Sequence, residues 1–165
     1  MKIWGVTGWK NAGKTGLVER LVVEFTRRGL TVATIKHAHA GFDIDHPGTD
    51  SARHRAAGAR EVLISSGRRW AIMHELGEDE AEPTLDDLLS RLSPADLVLV
   101  EGFKTADHPK IEAHRAATGH PLIAPGNPTI RAIAADSALD TGPCPRLDLD
   151  DTAGIADFIA RELGL

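Results

Sequence analysis

Gly8-Trp9-Lys10-Asn11-Ala12-Gly13-Lys14-Thr15 (GWKNAGKT) matches the pattern G-x-x-x-x-G-K-[ST] at every defined position. Glycines in such a stretch let the backbone curl so that successive N–H groups point inward at phosphate oxygens. The helix that begins near Lys14 adds its positive dipole end. Lys14 would reach the β- and γ-phosphates, and the Thr15 hydroxyl would coordinate Mg²⁺. The bland alternative is a plain glycine turn. The flanking sequence argues against it, with a strand-like run before the stretch and a helix-like run after.

Lys2 to Thr7 (KIWGVT) is short, mostly apolar and β-favouring. After Lys14 the apolar residues Leu17, Val18, Leu21, Val22 and Phe25 recur at helical spacing, with Gly29 placed to end the helix. Thr31 to Lys36 (TVATIK) reads as a second strand, so the chain opens as strand, glycine loop, helix, strand. Further on, a helix is expected from about Asp50 or Ser51 to Ala57, with one of those two residues as its cap. Glu61 to Ser66 and Trp70 to Glu75 form a hairpin around Ser-Gly-Arg-Arg. A helix follows over Leu85 to Leu92. Asp96 to Val100, Lys110 to His114 and Ile130 to Ala134 read as strands, and Thr152 to Leu163 as an amphipathic closing helix. This alternation predicts one domain over residues 1–165: α/β, a three-layer P-loop NTPase domain with a mostly parallel central sheet plus a β-hairpin.

Composition sets limits. The 165 residues, with 42% hydrophobic and 26% charged, suit a folded globular chain. A net charge of −5 argues against a nucleic-acid surface. Cys144 is the only cysteine, which excludes an internal disulfide and a cysteine-rich zinc site. No run approaches the ~20 apolar residues of a membrane helix. MKIWGVTG has no long apolar stretch before its glycines, so no secretion signal is expected and the cytoplasm is the expected compartment.

A phosphate loop needs an acid at the end of a neighbouring strand to hold Mg²⁺. DLVLVEG supplies Glu101, while Asp96, at the far end of that strand, reads as a cap or surface charge. After the second strand, Lys36, His37, His39, Asp43, Asp45, His46, Asp50 and Ser51 gather polar chemistry where a βα connection faces the phosphates. Asp43 and Asp45 would share one side of an extended stretch. One of them, or Asp50, is a candidate to assist Mg²⁺ or orient a water; ordinary turn chemistry accounts for them equally well. His37, His39 and His46 are spaced to bind zinc, though solvent-facing histidines are commoner. Arg68, Arg69 and Trp70 read as a contact patch or as a solvated turn.

Four blocks in order, GWKNAGKT, IKHAHAGFDIDHPGTDS, RWAIMHE and LVLVEGFK, resemble the MobB family, the molybdopterin-guanine dinucleotide biosynthesis adaptor proteins. The resemblance spans most of the chain. It implies a P-loop fold that binds GTP with Mg²⁺ and hydrolyses it weakly. It implies a homodimer that assists the guanylyltransferase MobA, which joins GMP to molybdopterin. Carried onto this chain, nucleotide binding falls on Gly8, Trp9, Lys10, Asn11, Ala12, Gly13, Lys14, Thr15 and the adjoining Gly16. Mg²⁺ falls on Thr15 and Glu101, and Asp45, Asp50 and Glu101 come near the phosphates as catalytic candidates. No N-K-x-D element for reading guanine is present; Asp136, at a late strand end, is the candidate to accept from the base. Lys36, Lys104 or Arg68 are candidates to contact anionic molybdopterin. The alternative function is an ATP-dependent ligase or kinase of the dethiobiotin-synthetase kind, and a third is a metal-delivery GTPase.

Overall fold

A computed structural model describes residues 1–38 and 42–165. In chain order the elements are β1 (Lys2–Thr7), α1 (Lys14–Arg27), β2 (Val32–Lys36), α2 (Asp50–Ala56), β3 (Glu61–Ser65) and β4 (Trp70–His74). Then come α3 (Leu85–Ser90), β5 (Leu97–Glu101), β6 (Lys110–His114), β7 (Ile130–Ala135), β8 (Arg146–Asp148) and α4 (Thr152–Leu163). They form two compact units: residues 1–37 with 85–165, and residues 38–84.

The larger unit is built on a six-stranded sheet in the order β2-β5-β1-β6-β7-β8. Every neighbouring pair in it is parallel. Parallel strands require crossovers, and these place helices on the faces. On one face Trp4 and Val6 of β1, Ile111 of β6 and Ala132 of β7 pack with Leu17, Leu21 and Phe25 of α1 and Ile155 and Ile159 of α4. On the other, Ile35, Val98 and Val100 pack with Leu85 and Leu89 of α3. The phosphate loop leaves β1 at the carboxyl edge and turns into α1, so it lies between the ends of β5 and β6.

Most expected elements appear within a residue or two of their bounds. β8 was not expected: three residues behind Pro145 carry too little pattern to stand out. On the solvent-facing margin of β2 and β5, Asp96 accepts from both the backbone N–H and the hydroxyl of Thr31. That fulfils its reading as a cap and holds its carboxyl below the usual range.

The smaller unit holds the antiparallel pair β3–β4, with Glu61 opposite His74 and Ser65 opposite Trp70, and α2. The cap of α2 is Thr49, whose hydroxyl accepts from Ala52 N–H, rather than Asp50 or Ser51. Among the described residues, no helix is long and apolar enough to cross a membrane.

Candidate functional site

The loop has the curl its glycines permit: Gly8, Asn11 and Gly13 take positive φ of 144°, 64° and 94°. Asn11 tolerates this conformation better than most side chains. Gly13 also faces two neighbouring side chains. A Cβ there would meet Arg115 Nε at 2.9 Å and Leu149 Cδ2 at 3.5 Å. Lys14 Nζ donates to Trp9 O over 2.7 Å, bridging the loop across its own mouth. Burial lowers the Lys14 ammonium pKa; neighbouring Lys104 and Lys36 push the same way, and Glu101 opposes them. Lys14 is thus one of three ammonium groups near one carboxylate.

Glu101, buried at the end of β5, is that carboxylate. Its Oε1 accepts from the Thr15 hydroxyl at 2.7 Å and lies 3.6 Å from Lys36 Nζ. A hydroxyl and a carboxylate brought together at the start of α1 are the hard oxygen ligands that Mg²⁺ takes. The geometry therefore joins the two residues read from sequence as metal-binding, beside the lysine read as phosphate-binding.

Trp9 fastens the loop to its surroundings. Its indole N–H donates to Pro121 O at 2.8 Å, His120 stacks on it at 5.1 Å, and Lys104 Nζ lies 4.3 Å from the ring centroid. The segment carrying His120 and Pro121 is anchored in turn by Glu112. That carboxylate, fully buried on β6, accepts from the N–H groups of Ile123 and Ala124. None of these tertiary ties carries a sequence signal. Trp9 was legible only as a loop residue, and Arg115, His120 and Glu112 not at all.

Asp136 sits just past β7 at the same carboxyl edge as the loop. Its Oδ1 accepts from Ala116 N–H at 3.0 Å. Lys10, Asn11 and Ala12 belong to the loop, with Ala12 buried, and Gly16 lies in the first turn of α1.

Asp45 and Asp50 belong to the smaller unit. The extended reading of Asp43 and Asp45 is corrected: Asp45 N–H donates to Asp43 Oδ1, a tight turn. Asp45 Oδ1 accepts from the hydroxyls of Thr49 and Ser51, and Arg55 draws in Asp43, Asp45 and Glu75. Turn chemistry prevailed because a short acidic side chain reaches backbone donors two residues on. Asp50 is exposed, 3.7 Å from Arg53. Of the histidines read as zinc ligands, His39 lies outside the described residues. Among the described residues, no group of three or more His, Cys, Asp or Glu side chains converges as a metal site. Arg68 lies in the β3–β4 turn, where Trp70 is 64% exposed.

Residues 3–136 match the family model described as molybdopterin guanine dinucleotide synthesis protein B. The chain is 40% identical over 156 residues to the molybdopterin-guanine dinucleotide biosynthesis adapter protein of Escherichia coli K12, covering 93% of this chain and 88% of that one. It is 37% identical to the adapter protein of the same description from Haemophilus influenzae, covering 96% and 88%. The crystal structure of a MobB homologue from Bacillus stearothermophilus superposes with a TM-score of 0.69 at 27% identity, covering 99% of each chain.

Proposed function

The chain belongs to the MobB family of adapter proteins in molybdopterin guanine dinucleotide biosynthesis, and we propose that it serves there by binding GTP with Mg²⁺. The observation that carries this reading is the convergence of Lys14, Thr15 and Glu101 at the start of α1, with Thr15 and Glu101 in direct contact. The amides of Gly8 to Thr15 hold the phosphates, and Lys14 exchanges its bond to Trp9 O for phosphate oxygens. Thr15 and Glu101 would hold the metal, which when bound would supply positive charge to the phosphates. Glu101 also keeps Lys36 at the site.

Hydrolysis by the chain alone is slow on this reading. The larger unit offers no glutamine to position water, since the chain contains none. Charge supplied by a partner is worth ~10³–10⁵-fold in other nucleotide hydrolases. A free-protein rate above ~10 s⁻¹ would contradict this.

The partner we propose is the guanylyltransferase MobA, with molybdopterin as the small molecule delivered, in the cytoplasm. The protein acts as a homodimer. The smaller unit exposes Leu63, Trp70 and Ile72 on one face of its two strands, an apolar surface suited to a second copy. Sedimentation of the purified chain with and without MobA and GTP tests both associations. A dimer that binds MobA only with GTP present fits the reading, and a monomer indifferent to MobA contradicts it.

A further inference from the structure

Strand order fixes the direction in which a nucleotide must lie. Thr15 and Glu101, the residues that would hold Mg²⁺, lie on the β5 side of β1, and a metal held there would serve the β- and γ-phosphates. The γ end of a bound nucleotide would then point toward β5, and the nucleoside would run the other way, over the carboxyl ends of β6 and β7. Two charged groups wait there.

Arg115 is the first residue after β6. Its guanidinium lies on the loop, within 2.9 Å (Nε) and 3.6 Å (Nη2) of where a Cβ on Gly13 would be. A side chain at position 13 would make it shift. Among the described residues this partly buried guanidinium has no hydrogen bond or ion pair, although it carries five donors. Asp136 is the first residue after β7. Its Oδ1 caps Ala116 N–H at 3.0 Å and its own N–H donates to His114 O at 3.4 Å, which stitches the two strand ends together. Among the described residues its second carboxylate oxygen has no hydrogen-bond partner. Arg115 lines an open cavity of about 410 Å³ together with Lys10, Asn11, Ala117, Thr118 and His120.

We infer that Arg115 and Asp136 read the nucleobase as a pair, and that the base they select is guanine. This rests on the nucleotide-binding reading above and deepens it. Guanine presents two acceptors, O6 and N7, on one edge, which suit a guanidinium fork. On the adjoining edge it presents the N1–H and N2–H₂ donors, which suit a carboxylate oxygen. Adenine has a donor where guanine has O6 and a lone pair at N1, so it meets Arg115 with one acceptor and Asp136 with repulsion. One residue alone would discriminate weakly; the two together cover both edges.

The test is calorimetric titration, in Mg²⁺, of the wild-type protein, Arg115→Met and Lys14→Ala with GTP, 7-deaza-GTP (which lacks the N7 acceptor) and ATP. The expected result is that wild type binds 7-deaza-GTP roughly tenfold more weakly than GTP, as one arm of a bidentate contact is worth. Arg115→Met should lose roughly ten- to hundredfold in GTP affinity, bind GTP and 7-deaza-GTP equally, and lose clearly less toward ATP, which offers the guanidinium N7 alone. Equal wild-type affinity for GTP and 7-deaza-GTP overturns the pair, and needs no variant to fold. So does a parallel loss of GTP and ATP in Arg115→Met, which would make Arg115 a phosphate contact. If wild type binds no nucleotide, or Lys14→Ala binds as wild type does, the loop reading fails and the pair with it.

Discussion

The Thr15 hydroxyl and Glu101 Oε1 lie 2.7 Å apart across 86 positions of sequence. Parallel pairing of β1 with β5 makes this possible: Val6 is in register with Glu101, so the loop leaving β1 begins beside that carboxylate. One residue legible from a local motif and one legible only as an acid after an apolar run are thus a single site.

Glu101→Gln keeps an oxygen that can accept from Thr15 but removes the charge. Stability should stay within about 1 kcal/mol of wild type, because the packing and that hydrogen bond survive. The Mg²⁺-dependent part of GTP affinity should fall by roughly tenfold or more, as befits a lost metal ligand. Titrations of GTP at several Mg²⁺ concentrations check this. Unchanged Mg²⁺ dependence would remove Glu101 from the metal site.

Glu112→Gln replaces a carboxylate that accepts backbone N–H groups of Ile123 and Ala124 with an amide that matches them poorly. Hydrogen bonds to a buried charge are the strong kind, so the loss should be about 2–3 kcal/mol. A drop in melting temperature of roughly 5–10 °C follows for a chain of this size. Hydrogen exchange should accelerate first at residues 123 and 124. Exchange there at the wild-type rate would mean the carboxylate does not hold that segment.

His108 gives stability a specific pH dependence. Its imidazole is buried against Gly5, and a Cβ on Gly5 would meet Nε2 at 2.5 Å. Burial, helped by the nearby Lys110 ammonium, holds it neutral down to about 4 instead of the ordinary 6.5. In the unfolded chain the ring takes a proton below about 6.5, whereas in the folded chain it refuses one until about 4. Stability is therefore complete above the higher value and is lost as pH falls between the two. Denaturation midpoints measured from pH 7 to 4.5 should decline, and His108→Leu should show a shallower decline over that window. The same slope in both proteins would show that His108 does not set it.

The opening strand, loop and helix were legible because each is encoded within a few neighbouring residues. So were β5 and β6 as strands. The setting of β6 was not. Lys110, Glu112 and His114 alternate with Ile111 and Ala113 as in a strand with one wet face, yet all five are buried. The polar face is covered by segments whose own donors and acceptors satisfy it: Glu112 takes backbone N–H groups, and Lys110 donates to Ala106 O and Thr129 Oγ1. Such pairing joins distant stretches and leaves no periodic mark. Arg115 was illegible for the same reason, since its importance lies in the space that Gly13 leaves.

Calorimetric titration of the wild-type protein with GTP and ATP in Mg²⁺, beside Lys14→Ala, tests the central claim most directly. GTP binding at least tenfold tighter than ATP, abolished in the variant, is the predicted result. Equal or tighter ATP binding, or GTP binding that survives the loss of Lys14, would contradict it.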